Sequence, residues 1–333
     1  MGDARALVLL LAPLACQREN QLFDQVEQPI FSGAASGTGE DAVVQLTSTS
    51  ALCTGTLVAP NLVLTARHCL GTYNTAASCQ ANGTSDLATS DVPTEDIDPV
   101  LVTIHSGATP AAEPIARGLE MVSTGSPTYC RNDIALLVLD RRLEQLPTLP
   151  IRLTRPTLIG ESMTLIGYGP TGDITTGDAS APVARTRREG IPVLDVGANR
   201  FYTGAGTIPA GVLSLGPGMC DGDSGGPAIS DAGAVVGVAS VTASFTCGAS
   251  PVSVYTQVAE YYDLVIAGFA RAGAEPWIEG EASAMTSGLP AGTGCSMANG
   301  AMAPAGCRWG CWLLGIGALL AIRRWPISSD VVC

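Results

Sequence analysis

Two histidines, His68 and His105, are all that the 333 residues contain, so any mechanism that moves a proton through imidazole must use one of them. His68 ends the run Leu64-Thr65-Ala66-Arg67-His68, just before Cys69. A carboxylate opens a second apolar run in Arg131-Asn132-Asp133-Ile134-Ala135-Leu136-Leu137. A serine lies among glycines in Cys220-Asp221-Gly222-Asp223-Ser224-Gly225-Gly226-Pro227. Each segment alone has a plain structural use, as a satisfied histidine, a turn aspartate or a tight loop. Together they hold the parts of nucleophilic catalysis. A serine hydroxyl is a poor nucleophile until a neighbouring base takes its proton. Imidazole, with an ordinary pKa of about 6.5, suits that exchange near neutrality. A buried carboxylate fixes the imidazole tautomer and stabilises the imidazolium formed during attack. Ser224 is the candidate nucleophile, His68 the candidate base and then acid, and Asp133 the candidate orienting carboxylate.

Residue order narrows the choice. Gly222-Asp223-Ser224-Gly225-Gly226 also fits the G-x-S-x-G turn of α/β-hydrolases, but there the histidine follows the serine. No histidine follows Ser224 here. An Asp, His, Ser order would need Asp24 or Asp41, and neither has a matching context. No H-E-x-x-H occurs, so a zinc peptidase helix is absent. All 17 basic residues are Arg, which removes lysine chemistry.

The elements that must hold these groups read as strands. Residues 43–46, 55–58, 62–65, 134–139 and 163–166 are short apolar runs bounded by turn residues. Thr, Val and Ile are plentiful and Gly and Pro recur, an all-β pattern of sandwich or barrel. A helix is expected over residues 258–271, where Val258, Tyr261, Tyr262, Val265, Ile266 and Phe269 keep helical spacing and Gly273 follows as a stop. His105 is expected in a loop or on a strand surface. The acids Asp91, Glu95, Asp96 and Asp98 lack calcium-ligand spacing and read as a solvated loop.

In the order His, Asp, Ser, the three segments resemble the chymotrypsin-like (trypsin-fold) serine peptidases, over residues 30–271. The resemblance implies two packed six-stranded antiparallel β-barrels with a C-terminal helix, and an endopeptidase working through an acyl-enzyme. It implies an oxyanion hole from the N–H groups of Gly222 and Ser224. It places Gly218 at the base of the primary specificity pocket, where the absence of an acid disfavours Arg or Lys. Ser240, Val241 and Thr242 would pair with substrate backbone. Thr242 and Ser253 would narrow the pocket toward small aliphatic residues. Cys53–Cys69 resembles the histidine-loop disulfide and Cys220–Cys247 the bridge that holds the pocket. Cys79 and Cys130 are left within the domain and are expected to pair. Activation in this family exposes an Ile or Val amine that pairs with the aspartate before the nucleophile. Here that aspartate is Asp223, and the best candidate terminus is Ile30, although Pro29 precedes it.

Composition bounds the setting. Thirty acids against 17 bases give a net charge of −13, which argues against a nucleic-acid partner. Eleven cysteines fit an oxidising compartment. Residues 1–16 read as a signal peptide, with a ten-residue apolar core and Cys16 placed as at a lipoprotein cleavage site. Residues 17–29 read as a propeptide or linker and residues 272–308 as a Gly/Ala/Ser/Pro-rich tether. Residues 309–333 read as a sorting or anchor segment. Its 14-residue apolar run, at about 1.5 Å each, is short of a membrane's hydrocarbon core. With Thr293-Gly294-Cys295-Ser296 and Arg323-Arg324, this end resembles the C-terminal tags of myxobacteria-like secreted proteins. The expectation is an exported protein, periplasmic, surface-anchored or secreted, acting on protein or peptide substrates. It would need no cofactor or metal and would touch membrane only through its tags. The alternative is a catalytically silent peptidase-fold binding module at the cell surface. A third possibility is an anchored structural protein. Oligomeric state is not legible.

Overall fold

The structure, a computed structural model of the chain, describes residues 33–49, 51–72, 95–126, 131–169, 184–197, 201–202, 206–207, 211–242 and 252–281. All of them belong to the first of the chain's two units, Met1–Gly288. The expected signal peptide, Ile30, Cys79, Cys130, Cys247 and residues 282–333 lie outside the described residues.

Twelve strands build two closed antiparallel barrels, as expected. The first contains β1 (Val43–Thr47), β2 (Leu52–Ala59), β3 (Leu62–Thr65), β4 (Thr103–His105), β5 (Ala116–Ser123) and β6 (Ala135–Leu139). Its order around the wall is β1-β2-β3-β6-β5-β4, and β4 closes on β1. The second contains β7 (Ser162–Gly167), β8 (Thr186–Asp195), β9 (Val212–Leu215), β10 (Pro227–Ser230), β11 (Val235–Thr242) and β12 (Ser253–Gln257). Here the order is β7-β8-β9-β12-β11-β10, and β10 closes on β7. The second barrel therefore repeats the strand order of the first. A two-residue strand, Ala34–Ala35, pairs with β8 on the outside of the second barrel.

Most strands are buried on both faces, one turned into a barrel core and the other covered by the segments packed outside it, which explains their near-continuous apolar runs. Leu57, Leu62, Leu64, Ile104, Ile134 and Leu136 lie in the first core, and Met163, Leu165, Leu213 and Leu215 in the second. Each such side chain contributes roughly 1.5–3 kcal/mol on burial. His105 corrects the loop-or-surface expectation. It lies on β4, buried, with Nδ1 donating to the Ala111 carbonyl at 2.9 Å and Nε2 near the Thr103 hydroxyl at 3.1 Å.

The C-terminal helix begins as a 3-10 turn at Val258–Tyr261 and continues as α1 (Tyr262–Ala272). Gly273 ends it in the left-handed region at φ 62°, with its N–H on the Ala270 and Phe269 carbonyls. The helix returns to the first barrel and buries Val265, Phe269 and Ala272 there. Gly268 permits this approach, because a Cβ would stand 2.7 Å from Leu136 Cδ2. Beyond the helix, within the stretch expected as tether, the chain still packs. The Ile151 N–H donates to the Trp277 carbonyl at 2.8 Å, and the Glu279 N–H donates to the Ile151 carbonyl at 2.9 Å. Ile151 forms parallel bridges to both Ile278 and Val235. Arg152, 1% exposed, makes a bidentate pair with Glu279 at 2.7 and 2.8 Å and reaches Glu161 at 2.9 Å. The packed body thus runs to Glu281.

Candidate active site

The first barrel supplies His68 and Asp133. The chain leaves β3 into a buried 3-10 turn, Arg67–Leu70, which carries His68. The Cys53–Cys69 disulfide ties this turn to β2, with a Cα–Cα distance of 6.0 Å, in agreement with the expected pairing. Asp133 lies just before β6, the neighbour of β3 in the wall. Its Oδ1 accepts from the His68 backbone N–H at 2.9 Å, and its Oδ2 accepts from His68 Nδ1 at 2.8 Å. Two bonds from one carboxylate fix both the position and the tautomer of the ring, leaving Nε2 as the basic nitrogen.

The second barrel adds a third bond. Ser240 donates its hydroxyl to Asp133 Oδ2 at 2.5 Å. A register shift between Ala239 and Val241 leaves Ser240 outside the β11–β12 pairing and turns its side chain toward the seam. The sequence assigned Ser240 only to substrate backbone, so its contact with the carboxylate is new. The Thr256 hydroxyl on β12 also donates to the Asp133 carbonyl, at 3.0 Å.

Burial alone would raise the Asp133 pKa. The adjacent imidazole and the bonds from His68 and Ser240 outweigh burial and hold the carboxyl below its ordinary range. Burial would also lower His68, but the Asp133 carboxylate and its hydrogen bond, with a smaller contribution from Asp221, raise it. The pair is thus built to accommodate a proton on the imidazole.

Ser224 lies on the loop between β9 and β10, part-exposed, and that loop is fastened to the first barrel. The Thr54 N–H on β2 donates to the Ser224 carbonyl at 2.8 Å, and the Thr54 hydroxyl donates to the Gly222 carbonyl at 2.7 Å. Gly225, at φ 83°, passes so close that a Cβ would meet the Thr65 hydroxyl at 2.1 Å and the Thr54 carbonyl at 2.2 Å. Thr65 ends the strand that leads to His68, so the serine loop is seated against the histidine's own support. Gly222, at φ 89°, is likewise reserved for glycine. Among the described residues, neither the Gly222 N–H nor the Ser224 N–H donates to a protein acceptor.

Asp223, 2% exposed, points inward. Its Oδ1 accepts from the Gly169 N–H at 2.7 Å and its Oδ2 from the Cys220 N–H at 2.9 Å. Gly167 and Gly169 are glycines because the carboxylate fills the space of their Cβ atoms, at 2.2 and 2.7 Å. No cation pairs with Asp223 among the described residues. Burial pushes its pKa up to about 7, against the two N–H bonds. The Gly167-Tyr168-Gly169 triplet is the local sequence signal of this contact.

The expected pocket residues lie around the same loop. Gly218 is buried beside Met219, whose N–H donates to the buried Ser253 hydroxyl at 3.2 Å. Thr242 pairs with Ser253 at the ends of β11 and β12, and its side chain lies outside the described residues. Val241 is 42% exposed beside Ser240. Cys220 is disulfide-bonded, to a partner outside the described residues. Cys53, His68 and Cys69 have potential metal-ligand atoms within 4.8 Å of one another, but the disulfide takes both sulfurs. Asp96 pairs with Arg67 at 3.1 Å, and Asp98 caps a 3-10 turn, so these acids already have protein partners.

Residues 30–265 match the trypsin family model. The chain is 28% identical over 259 residues to phenoloxidase-activating factor 3 of Holotrichia diomphalia, covering 67% of each chain. It is 29% identical over 197 residues to snake venom serine protease 3 of Protobothrops flavoviridis, covering 56% of this chain and 66% of that one. Chymotrypsin-like elastase family member 3B of Macaca mulatta is 26% identical over 238 residues, covering 64% of this chain and 80% of that one. The chain thus spans about two thirds of the length of the first two of these relatives. With the family match taking in more than half of its length, and with both barrels in place, the chain belongs to the trypsin family of chymotrypsin-like serine peptidases and is a serine-type endopeptidase.

Proposed function

We propose that Ser224, His68 and Asp133 are the catalytic triad and that protein or peptide substrates are cleaved through an acyl-enzyme. The observation that carries this reading is the two-point grip of Asp133 on His68, beside a serine loop with two N–H groups that have no protein acceptor among the described residues. Ser224 Oγ attacks the scissile carbonyl and passes its proton to His68 Nε2. The N–H groups of Gly222 and Ser224 receive the developing oxyanion, each worth roughly 3–4 kcal/mol. His68 then protonates the leaving amine, and water repeats the sequence to release the acid. A fluorophosphonate probe tests the assignment. The mature enzyme should label and Ser224→Ala should not, with turnover falling by about 10⁶. Equal labelling of both, or of neither, would defeat the triad.

Gly218 at the pocket base, with Thr242 and Ser253 on its walls, supports a preference for small aliphatic residues such as Ala or Val. The elastase-named relative is in keeping with this. In a chromogenic peptide panel, Ala and Val substrates should exceed Arg and Phe substrates in kcat/KM, and the reverse order would refute the pocket reading. The active form would begin at Ile30, its new amine pairing with Asp223. Geometry supports the reach. Ala35 faces Thr186 on β8, and Thr186 faces Gly167 on β7, where the Asp223 carboxylate lies. Two strand spacings cover about 10 Å, which three extended residues also span. Cys220–Cys247 and Cys79–Cys130 complete the proposed disulfides. The proposed organisation keeps the signal, propeptide, tether and C-terminal sorting segments at their sequence positions, giving an exported protein held at the surface or secreted.

A further inference from the structure

We propose that Arg185 is a positioning residue for the activated enzyme, holding the segment behind the new terminus so that its amine reaches Asp223. The proposal rests on the reading that the active form begins at Ile30. Arg185 immediately precedes β8 in the second barrel and is 0% exposed. A guanidinium carries five donors in a fixed fork, and burying it is costly unless they are matched. Here one segment matches nearly all of them. Nε donates to the Ser36 hydroxyl at 2.8 Å, Nη1 to the Val43 carbonyl at 2.9 Å, and Nη2 to the Gly37 carbonyl at 2.6 Å and Asp41 Oδ1 at 2.7 Å. The Ser36 N–H returns a bond to the Arg185 carbonyl at 3.1 Å. Within its own barrel the guanidinium has one long contact, from Nη1 to the Tyr168 hydroxyl at 3.5 Å. Its shorter bonds all go to residues 36–43, the stretch that follows the proposed terminus.

The same cluster adjoins the Asp223 site. The guanidinium stands 5.9 Å over the Tyr168 ring. Tyr168 precedes Gly169, whose N–H holds Asp223, and its hydroxyl lies 3.1 Å from the Val43 carbonyl that Arg185 also binds. Docking of residues 36–43 and the shape of the Asp223 site therefore share one set of contacts. The charged group acting on Asp223 is Asp221 on its own loop, and Asp223 in turn acts on Tyr255 of β12; neither supplies a cation.

The test uses enzyme cleaved before Ile30 with Arg185→Met, and with Asp41→Asn and Ser36→Ala, which weaken the clamp at one contact each, by removing the charge of Asp41 or the hydroxyl of Ser36. Arg185→Met should lower kcat by roughly 10- to 100-fold, as a misplaced terminus would. Its activity should also fail at a lower alkaline pH. An amine held by Asp223 keeps its proton longer than a free one, whose pKa is about 7.7–8.0, and a loosened terminus loses that protection. Free Ile-Phe dipeptide, the sequence of residues 30 and 31, should restore at least half of the lost kcat. Asp41→Asn and Ser36→Ala should move the alkaline limb the same way by smaller amounts, which keeps the proposal testable if Arg185→Met fails to fold. Variants that melt lower but keep the wild-type alkaline limb, or that lose activity without dipeptide rescue, overturn the proposal. A wild-type enzyme equally active before cleavage at Ile30 would overturn the underlying reading as well, a result distinguishable because it appears without any variant.

Discussion

Asp133 Oδ2 joins the two barrels, because it accepts from His68 on one side and Ser240 on the other. Ser240 should therefore matter to the imidazole and not only to substrate backbone. Ser240→Ala removes a hydroxyl donor to a buried carboxylate, a bond to a charged group worth about 1.5–3 kcal/mol. The expected result is a roughly 10- to 100-fold loss in kcat/KM with the fold intact. Unchanged kinetics would show that the carboxylate is held well enough by His68 alone. The triad candidates were legible because each sits in a short local pattern whose residue order excludes the other serine hydrolase arrangements. The Ser240 contact was not, because it joins residues 107 positions apart through a bulge that no local pattern marks.

At the scale of elements, the strands could be read as short apolar runs between turn residues and the final helix from its periodic spacing, since strands buried on both faces lose their alternation but keep their length and borders. The strap at Trp277–Glu281 could not. It lies in a Gly-, Ala- and Pro-rich stretch without period, and it pairs with Ile151 far back in the chain. Its energetics are nonetheless decisive for where the body ends. Arg152 is buried at the join of strap, inter-barrel crossing and β11, and Glu279 provides two of its bonds and accepts from the Ser230 hydroxyl at 2.8 Å. A chain ending at Ala272 leaves the guanidinium with the half-buried Glu161 as its remaining carboxylate among the described residues. Breaking a buried pair from one side costs about 3–5 kcal/mol. For a domain of this size that is a fall in Tm of roughly 6–20 °C. A chain ending at Glu281 should melt near the full-length value. Equal melting of the two truncations would show that the strap is dispensable.

Across the whole molecule, one strand order is used twice and the candidate site forms along the seam, so stability and the proposed activation share the same buried groups. Asp223 shows how. Its pKa in the folded chain is about 7, against about 3.9 for an aspartate in an unfolded one. Between these values the folded state holds a proton that the unfolded state has released. Stability therefore falls as pH rises from about 4 to about 7, by up to about 4 kcal/mol for one group. His68, raised above its ordinary value, adds a loss in the same direction at somewhat higher pH, so the two must be separated. Uncleaved precursor and its Asp223→Asn variant, melted across pH 4.5 to 7.5, separate them. The precursor should lose Tm steadily over that range, and the variant should keep only the later His68 component. Cleavage before Ile30 should flatten the precursor's slope, because an ammonium beside Asp223 lets it ionise without penalty. Identical slopes in precursor and variant would mean that Asp223 is not the group that makes the uncleaved fold sensitive to neutral pH.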